Sequence, residues 1–443
     1  MKIRRRLYLV PLIVCAFTAG GATSSEQLAM NQMVPASEAS NNDLGLSDHA
    51  VQQVLARLDH RLKVYDKDYE ASLLKGLVLF KSGQVDAALH ELDQLLTKVP
   101  KFHLAYLVKA DIMQSRLHVM NDLGASPLLS SKSKEQQVQL KRLRDEAYAR
   151  LRAYLETVSN DRVPAQMLLL GDSVKTAILV DKNSHRLYVF ENPGHGQAPR
   201  LLRDFYVSTG KLIGNKQYSG DLRTPEGVYF VMSYKPDRDL PDLYGIGAFP
   251  LNYPNELDQH QGKTGYGIWL HGTDKSYYSR PPLDSEGCVV LTNLDLDAVK
   301  PYIKIGVTPV VITEDIDWLD HDSWQQRKNE LLGVLNNWQQ DWESLDVNKY
   351  LSHYSSDFWS DKYNKASWSR YKQAVFSGKT YQKVSFDDIS LFTYPTTSKK
   401  GKPMVVVNLE QHYESNNFNS DARKRLYLAK GDNGWKVMYE GSQ

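Results

Sequence analysis

HGTDKSYYSRPPLDSEGC, running from His271 to Cys288 and followed by VVLTN, is the stretch that decides how this chain is read. A histidine closes the apolar run 267–270, and seventeen positions later a cysteine stands directly after Gly287. A thiol is a poor nucleophile at neutral pH unless a base lies within reach, so a His and a Cys joined by one loop suggest a nucleophile with its base. The plainer alternative is a buried, inert Cys and a hydrogen-bonded structural His. The cysteine count favours the chemical reading. The chain has two cysteines, Cys15 and Cys288, and Cys15 falls inside an N-terminal segment with the features of an export signal. Cleavage of that segment leaves one thiol with no internal disulfide partner, and a catalytic role accounts for its presence outside the cytoplasm.

Working outward from that stretch, Lys2 and Arg4 to Arg6 precede an apolar run 7–17, and Gly20, Gly21 and Ala22 follow. This predicts a signal peptide over 1–22, with an uncleaved anchor as the alternative; it is too short for a comfortable membrane span. The Ser-, Ala-, Asn- and Gln-rich segment that follows lacks apolar periodicity, and 23–46 reads as a linker. From 47 to 170 the spacing is helical, with Leu74, Leu77, Phe80, Ala87, Leu89 and Leu92 on repeating faces, Gly83 at a turn and Pro100 at a stop. Ala71, Leu74 and Gly76 recur as Ala105, Val108 and Ala110, an offset of 34 that resembles a tetratricopeptide unit. A groove for a protein partner and a plain helical spacer are both open. Lys132 to Val158 reads as a charged, solvated helix.

Near Asp172 the period changes to two. Thr176 to Val180, Arg186 to Phe190, Asp204 to Ser208, Val228 to Ser233, Ile268 to His271 and Pro309 to Thr313 read as strands of a mostly antiparallel domain. Five blocks then stand in a telling order: AILVDKNSHRLYVFEN, VSTGK (Val207 to Lys211), GDLRTPEGVYFV (Gly220 to Val231), IWLHG (Ile268 to Gly272) and SEGCVVLTN (Ser285 to Asn293). This succession resembles the L,D-transpeptidase catalytic domain of the YkuD type, over 173–314.

The resemblance implies a β-sandwich-like fold, a periplasmic or cell-wall location and action on peptidoglycan stem peptides. It implies that Cys288 is the nucleophile, that His271 is the general base, and that the Gly272 carbonyl orients the other ring nitrogen of that histidine. Ser285 and Gly287 match the motif, and the N–H groups of Gly287 and Cys288 are expected to face the oxyanion. Glu286 and Val290 depart from the commoner His before the Gly-Cys pair and Arg two places after the Cys. This brings the chain nearer to a variant branch with L,D-carboxypeptidases and an amidase. Lys275, Tyr277, Tyr278 and Arg280 are candidates for a lid binding the stem's carboxylates, against the alternative of ordinary surface. Thr224 to Gly227 reads as a structural turn, and Thr292 with Asp295 as a helix cap. Asp284 and Glu286 suggest no role.

From Trp318 a third unit begins. Leu331, Leu335, Trp338, Trp342 and Leu345 form a helical stripe, and strand-like runs follow at Val384 to Leu391, Met404 to Tyr413, Arg423 to Ala429 and Trp435 to Glu440. With WESLDVNKYLSHYSSDFWS and GWKVMYEG, this resembles the nuclear-transport-factor-two-like (SnoaL-like) cone, over 320–443. Trp359, Trp368 and Tyr371 are candidates to line a cavity or pack a core. Dimerisation and glycan binding are both open for it.

The expected class is therefore multidomain α+β: an N-terminal α-helical, tetratricopeptide-like region, a central mostly-β catalytic domain and a C-terminal α+β cone. Lys+Arg 54 against Asp+Glu 52, with no long block of one sign, gives no footprint for nucleic acid. A zinc site from His260, His271 and Cys288 lacks tight ligand spacing, so no metal or other cofactor is expected. Two functions of different class stand: a cysteine acyl-transfer enzyme working as L,D-transpeptidase, L,D-carboxypeptidase or amidase, and a wall-binding scaffold with an inactive site.

Overall fold

The computed structural model describes residues 47–115, 133–155, 161–398 and 400–442. The expected signal peptide with Cys15, and the whole of the expected linker, lie outside the described residues. No helix among the described residues is long and apolar enough to cross a membrane.

The chain opens with helices α1 (Asp48–Val64), α2 (Tyr69–Lys81), α3 (Val85–Lys98), α4 (His103–Ser115) and α5 (Lys134–Leu155). Short polar side chains set their starts. Ser47 Oγ accepts the Ala50 N–H and Asp68 Oδ1 accepts the Ala71 N–H, each satisfying a backbone donor that a helix leaves orphaned. The apolar stripes meet in one core that includes Leu58, Leu74, Leu92, Phe102 and Val108. The helices at Tyr69 and His103 begin 34 residues apart, matching the spacing seen in the sequence.

The helical spacing read as far as 170 does not persist that far. Residues 161–170 leave the helical unit: β1 (Val163–Pro164) pairs with a strand 155 residues later, and Leu168 and Leu169 join Leu391 through backbone bonds of 2.9 to 3.2 Å. The apolar residues there serve a different core, with Leu168 buried among the C-terminal residues.

The central domain carries strands β2 (Thr176–Asp181), β3 (Arg186–Glu191), β4 (Arg200–Tyr206), β5 (Thr209–Gly210), β6 (Gly227–Phe230), β7 (Lys235–Pro236), β8 (Gly247–Pro250), β9 (Trp269–His271), β10 (Leu283–Ser285), β11 (Val289–Val290) and β12 (Pro309–Thr313). One sheet has the order β4-β3-β2-β12-β6, and a second has the order β11-β9-β8-β7. Most pairs are antiparallel, but β12 runs parallel to β2 and β11 parallel to β9. Between the sheets lie Ile178, Val180, Val189, Tyr229, Leu270, Val289 and Ile312.

The other face of the first sheet is also covered. Ala177, Leu179, Phe190, Val228 and Val311 pack against Phe392, Met404, Val406, Tyr427 and Tyr439 of the C-terminal unit. A strand buried on both faces must be apolar at successive positions, which explains the unbroken AILV of β2.

After β13 (Trp318–Leu319), the partner of β1, comes helix His321–Glu343, then Val347–Ser352, β14 (Tyr354–Trp359), helix Lys365–Ser377, and β15 (Gln382–Thr393), β16 (Met404–Ser415), β17 (Ser420–Gly431) and β18 (Gly434–Ser442). The sheet order is β14-β18-β17-β16-β15. Leu331, Leu335, Trp338 and Trp342 are buried in its core. Leu345 departs from the expected stripe: the helix ends at Glu343, and Leu345 follows with φ 64°, exposed. Trp368 belongs to the core, whereas Trp359 stacks at 4.1 Å on His260 of the central domain and Tyr371 is exposed.

Candidate active site

The loop from 272 to 287 joins the strand ending in His271 to Cys288, and both residues line one cleft of about 830 Å³. Their approach follows from sheet register. Parallel pairing sets Val290 opposite His271 and Val289 opposite Leu270, which brings the residue before Val289 to the end of the strand carrying the histidine. Ser208, bonded through both its N–H and C=O to Val290, fixes the outer side.

His271 is 2% exposed, and its Nδ1 lies 2.6 Å from the Gly272 carbonyl oxygen. A carbonyl can only accept, so Nδ1 carries the proton and Nε2 holds the lone pair. Asn293, a residue to which sequence reasoning gave no role, braces this corner. Its Oδ1 accepts the Ile246 N–H at 3.2 Å, and its Nδ2 donates to the Thr273 carbonyl at 2.8 Å. A Cβ on Gly272 would lie 2.2 Å from Asn293 Oδ1, so the space beside the orienting carbonyl is already filled. The signal for Asn293 was its position closing the SEGCVVLTN block.

Burial pushes the Cys288 thiol up to about 11, against weaker lowering from the Trp269 N–H and from the Arg280 and Lys216 charges. Burial likewise holds His271 down to about 4, although its bond to Gly272 works the other way. The thiol and the imidazole that line this cleft are therefore both neutral at rest, so a base within reach does not by itself mean a thiolate already formed. The sulfur is partly exposed in the cleft, with Sγ 3.4 Å from the Gly267 carbonyl.

Ser285 and Gly287 are engaged in shaping the turn. Ser285 Oγ donates to the Cys288 carbonyl at 2.6 Å and accepts the Gly287 N–H at 3.1 Å. That N–H is thus already bonded, contrary to the expectation that it faces an oxyanion. Gly287 has φ +128°, and a Cβ there would lie 2.8 Å from the Arg223 carbonyl oxygen, so only glycine fits.

The candidate lid residues divide. Tyr277 is exposed and lines the cleft, with its ring 5.7 Å from that of His103. Tyr278 is buried in the core of the helical unit, 4.3 Å from the Phe102 ring, and does not line the cleft. Lys275 reaches Asp237 at 2.6 Å. Arg280 lines the cleft and holds Asp284 through Nε at 2.9 Å. Glu286 is exposed on the rim. Tyr244, unanticipated from sequence, sets its ring 4.9 Å from both Trp269 and His271. His260 stacks on Trp359 and does not join His271 and Cys288.

The far wall of the cleft belongs to the helical unit, through Lys101, His103, Gln139, Arg142 and Glu146. A buried charge network fastens it there. Arg150 Nη1 and Arg186 Nη1 each meet Glu70 Oε1 at 2.8 Å, Arg150 Nη2 meets Glu146 Oε1 at 2.9 Å, and Arg186 also binds Asp204. Burial alone would raise the Glu70 carboxyl, but Arg186 and Arg150 overrule it and hold it below its usual range.

Comparison with known proteins agrees with this anatomy. Residues 175–312 match the L,D-transpeptidase catalytic domain family YkuD, and residues 330–441 match the Cds6 C-terminal NTF2-like domain. YafK of Escherichia coli (strain K12), a protein named for the L,D-transpeptidases, is 26% identical over 180 residues, which is 36% of this chain and 65% of that one. The chain thus spans just under two thirds of the length of this curated relative. Among solved structures, Bd1075 of Bdellovibrio bacteriovorus is 30% identical with TM-score 0.57, over 64% of this chain and 98% of that one. The helical cell shape determining protein Pgp2 of Campylobacter jejuni is 28% identical with TM-score 0.53, over 62% of this chain and 95% of that one.

Proposed function

We propose, from the premise that this chain belongs to the L,D-transpeptidase (YkuD) family with a C-terminal NTF2-like domain, that it is a periplasmic cysteine acyl-transfer enzyme acting on peptidoglycan tetrapeptide stems. The observation carrying this reading is that Cys288 and His271 line one cleft, with the imidazole's Nδ1–H held by Gly272 so that its basic nitrogen is Nε2.

His271 Nε2 takes the thiol proton as Sγ bonds to the carbonyl carbon before the terminal D-alanine. Charge gathers on that carbonyl oxygen. With the Gly287 N–H engaged by Ser285, the Cys288 N–H and the nearby Tyr244 hydroxyl are the donors proposed for it. The C–N bond then breaks, the leaving amine receives the proton from His271, and a thioester remains on Cys288. In the second half His271 takes a proton from the incoming group as that group bonds to the thioester carbon; the C–S bond breaks and the proton passes from His271 back to Sγ. An amine of a neighbouring stem yields a cross-link, and water yields the trimmed stem.

Hydrolysis, as L,D-carboxypeptidase or amidase, is the second reading. It draws on Val290, buried where many relatives place an arginine, so that this position supplies no cation beside the nucleophile. A third possibility, a wall-binding scaffold, needs neither Cys288 nor His271. Incubating the exported protein with purified muropeptides, followed by mass spectrometry against Cys288→Ala, separates the three. Joined stems indicate transpeptidation and tripeptide alone indicates hydrolysis. Absence of any Cys288-dependent product, with no carbapenem adduct on the thiol, would refute the enzyme.

A further inference from the structure

The helical unit does more than stand beside the cleft. Along the loop between His271 and Cys288, successive contacts come from it: Lys101 Nζ donates to the Lys275 carbonyl at 2.7 Å, Phe102 and Tyr69 receive the Tyr278 ring, and Glu146 Oε1 accepts from Ser279 Oγ at 2.7 Å. Arg142 completes the series by binding Asp284. Arg280, from the loop itself, holds the other oxygen of the same carboxylate, and its Nη2 donates to the Asp284 carbonyl at 2.9 Å.

Two guanidinium groups sharing one carboxylate carry a net positive charge. Both arginines and Asp284 line the cleft that contains His271 and Cys288. The arginines are about a third exposed, with side-chain exposures of 35% for Arg142 and 27% for Arg280, while Asp284 is 15% exposed. The Arg280 charge is near enough to the sulfur to pull its thiol pKa downward. A guanidinium has five N–H donors in a planar fork, and the pairings with Asp284 engage one on Arg142 and two on Arg280. Such a fork suits a second carboxylate held by charge-assisted bonds.

We propose that Arg142, contributed by the helical unit, acts with Arg280 across Asp284 as a specificity-determining site that binds a carboxylate of the substrate peptide beside the reacting carbonyl. This rests on the stem-peptide reading above. A tetrapeptide stem offers that group in two places: the C-terminal carboxylate, one residue beyond the scissile bond, and the side-chain carboxylate of a diamino acid before it. The helical unit is on this account part of the enzyme's reading head.

The test compares wild type, Arg142→Ala, Arg142→Gln and Arg142→Lys on three synthetic stems: the free acid, its C-terminal carboxamide and its side-chain carboxamide. Far-UV circular dichroism and melting curves identify which variants fold, and Arg142→Gln keeps the aliphatic stem and a polar, uncharged end if the alanine variant does not fold. Loss of a charged hydrogen bond predicts a fall of about 10- to 100-fold in kcat/KM on the free acid, mostly in KM, with partial recovery in the lysine variant. Wild type loses a similar factor on whichever carboxamide removes the recognised group, and on that stem the Arg142 substitutions have little further effect. An equal loss on all three stems, or none, overturns the proposal. If wild type turns over none of them, the acyl-transfer reading has failed. Calorimetric binding of the same stems to Cys288→Ala, with and without Arg142→Gln, then judges the carboxylate site by the same pattern.

Discussion

The Tyr278 ring, seven residues past His271, stands 4.3 Å from the Phe102 ring inside the core of the helical unit. A residue of the loop between His271 and Cys288 is thereby anchored in a core whose other residues lie more than 120 positions earlier in the chain.

Tyr278→Ala removes that anchor. Loss of a buried aromatic costs about 3–5 kcal/mol, and the loop carrying Arg280 and Asp284 gains freedom, so muropeptide turnover should fall at least tenfold. Tyr278→Phe keeps the ring and should remain within about 1 kcal/mol of wild type in urea denaturation. Equal turnover by the alanine variant and wild type would show that the anchor does not matter to catalysis.

The acid–base state of the pair has a spectroscopic signature. With the thiol pushed up to about 11 and the imidazole held down to about 4, the free enzyme should show no Cys288 thiolate absorbance at neutral pH. The 240 nm signal, taken as the difference from Cys288→Ala, should appear only on strongly alkaline titration. His271 is neutral and able to accept a proton above about pH 4, so kcat/KM should rise through that region and show no second rise near pH 6.5. A thiolate already present at pH 7 would contradict the neutral pair.

Arg150 is buried between Glu70 and Glu146. Arg150→Met leaves Glu146 without its cation, and breaking a buried pair from one side costs about 3–5 kcal/mol. Glu146 is already held above its usual range by burial, with Arg150 opposing. A carboxyl raised in the folded state loses stability as pH rises past its unfolded value, so the variant's deficit should be larger at pH 7 than at pH 5. Chemical denaturation at the two pH values checks both the size and the sign.

Gly272→Ala would drive a Cβ to 2.2 Å from Asn293 Oδ1 and displace the carbonyl that holds His271 Nδ1. Turnover should fall by about 10²-fold, the scale of a misplaced catalytic group. Asn293→Ala frees that space but releases Ile246 and Thr273, and should itself reduce kcat. If the double variant is less impaired than Gly272→Ala alone, the clash was the cause.

Much of this was legible in the residues. Period-two runs marked β2, β3 and β12, because a strand in a layered core has to alternate or be apolar throughout. The five motif blocks pointed to Cys288 and His271, which the fold brings to one cleft. What escaped was set by contacts distant in sequence. Tyr278 reads as lid material because nothing local reveals that Phe102 and Tyr69 receive it. The Gly287 N–H reads as an oxyanion donor because residue type does not show that Ser285 Oγ already accepts it. Residues 161–170 carry apolar residues at helical spacing, yet they are claimed by a strand and a core near the other end of the chain.

That last pairing bears on how such a protein could be rearranged. Val163 lies opposite Leu319, and Leu169 bonds to Leu391, so the segment entering the catalytic domain is also a staple across the terminal cone. Cutting the gene at the motif boundaries would strip the outer face of the first sheet and leave Phe190, Val228 and Val311 facing water. The catalytic module is therefore not a cassette, and shuffling it into another chain would have to carry the cone along with it.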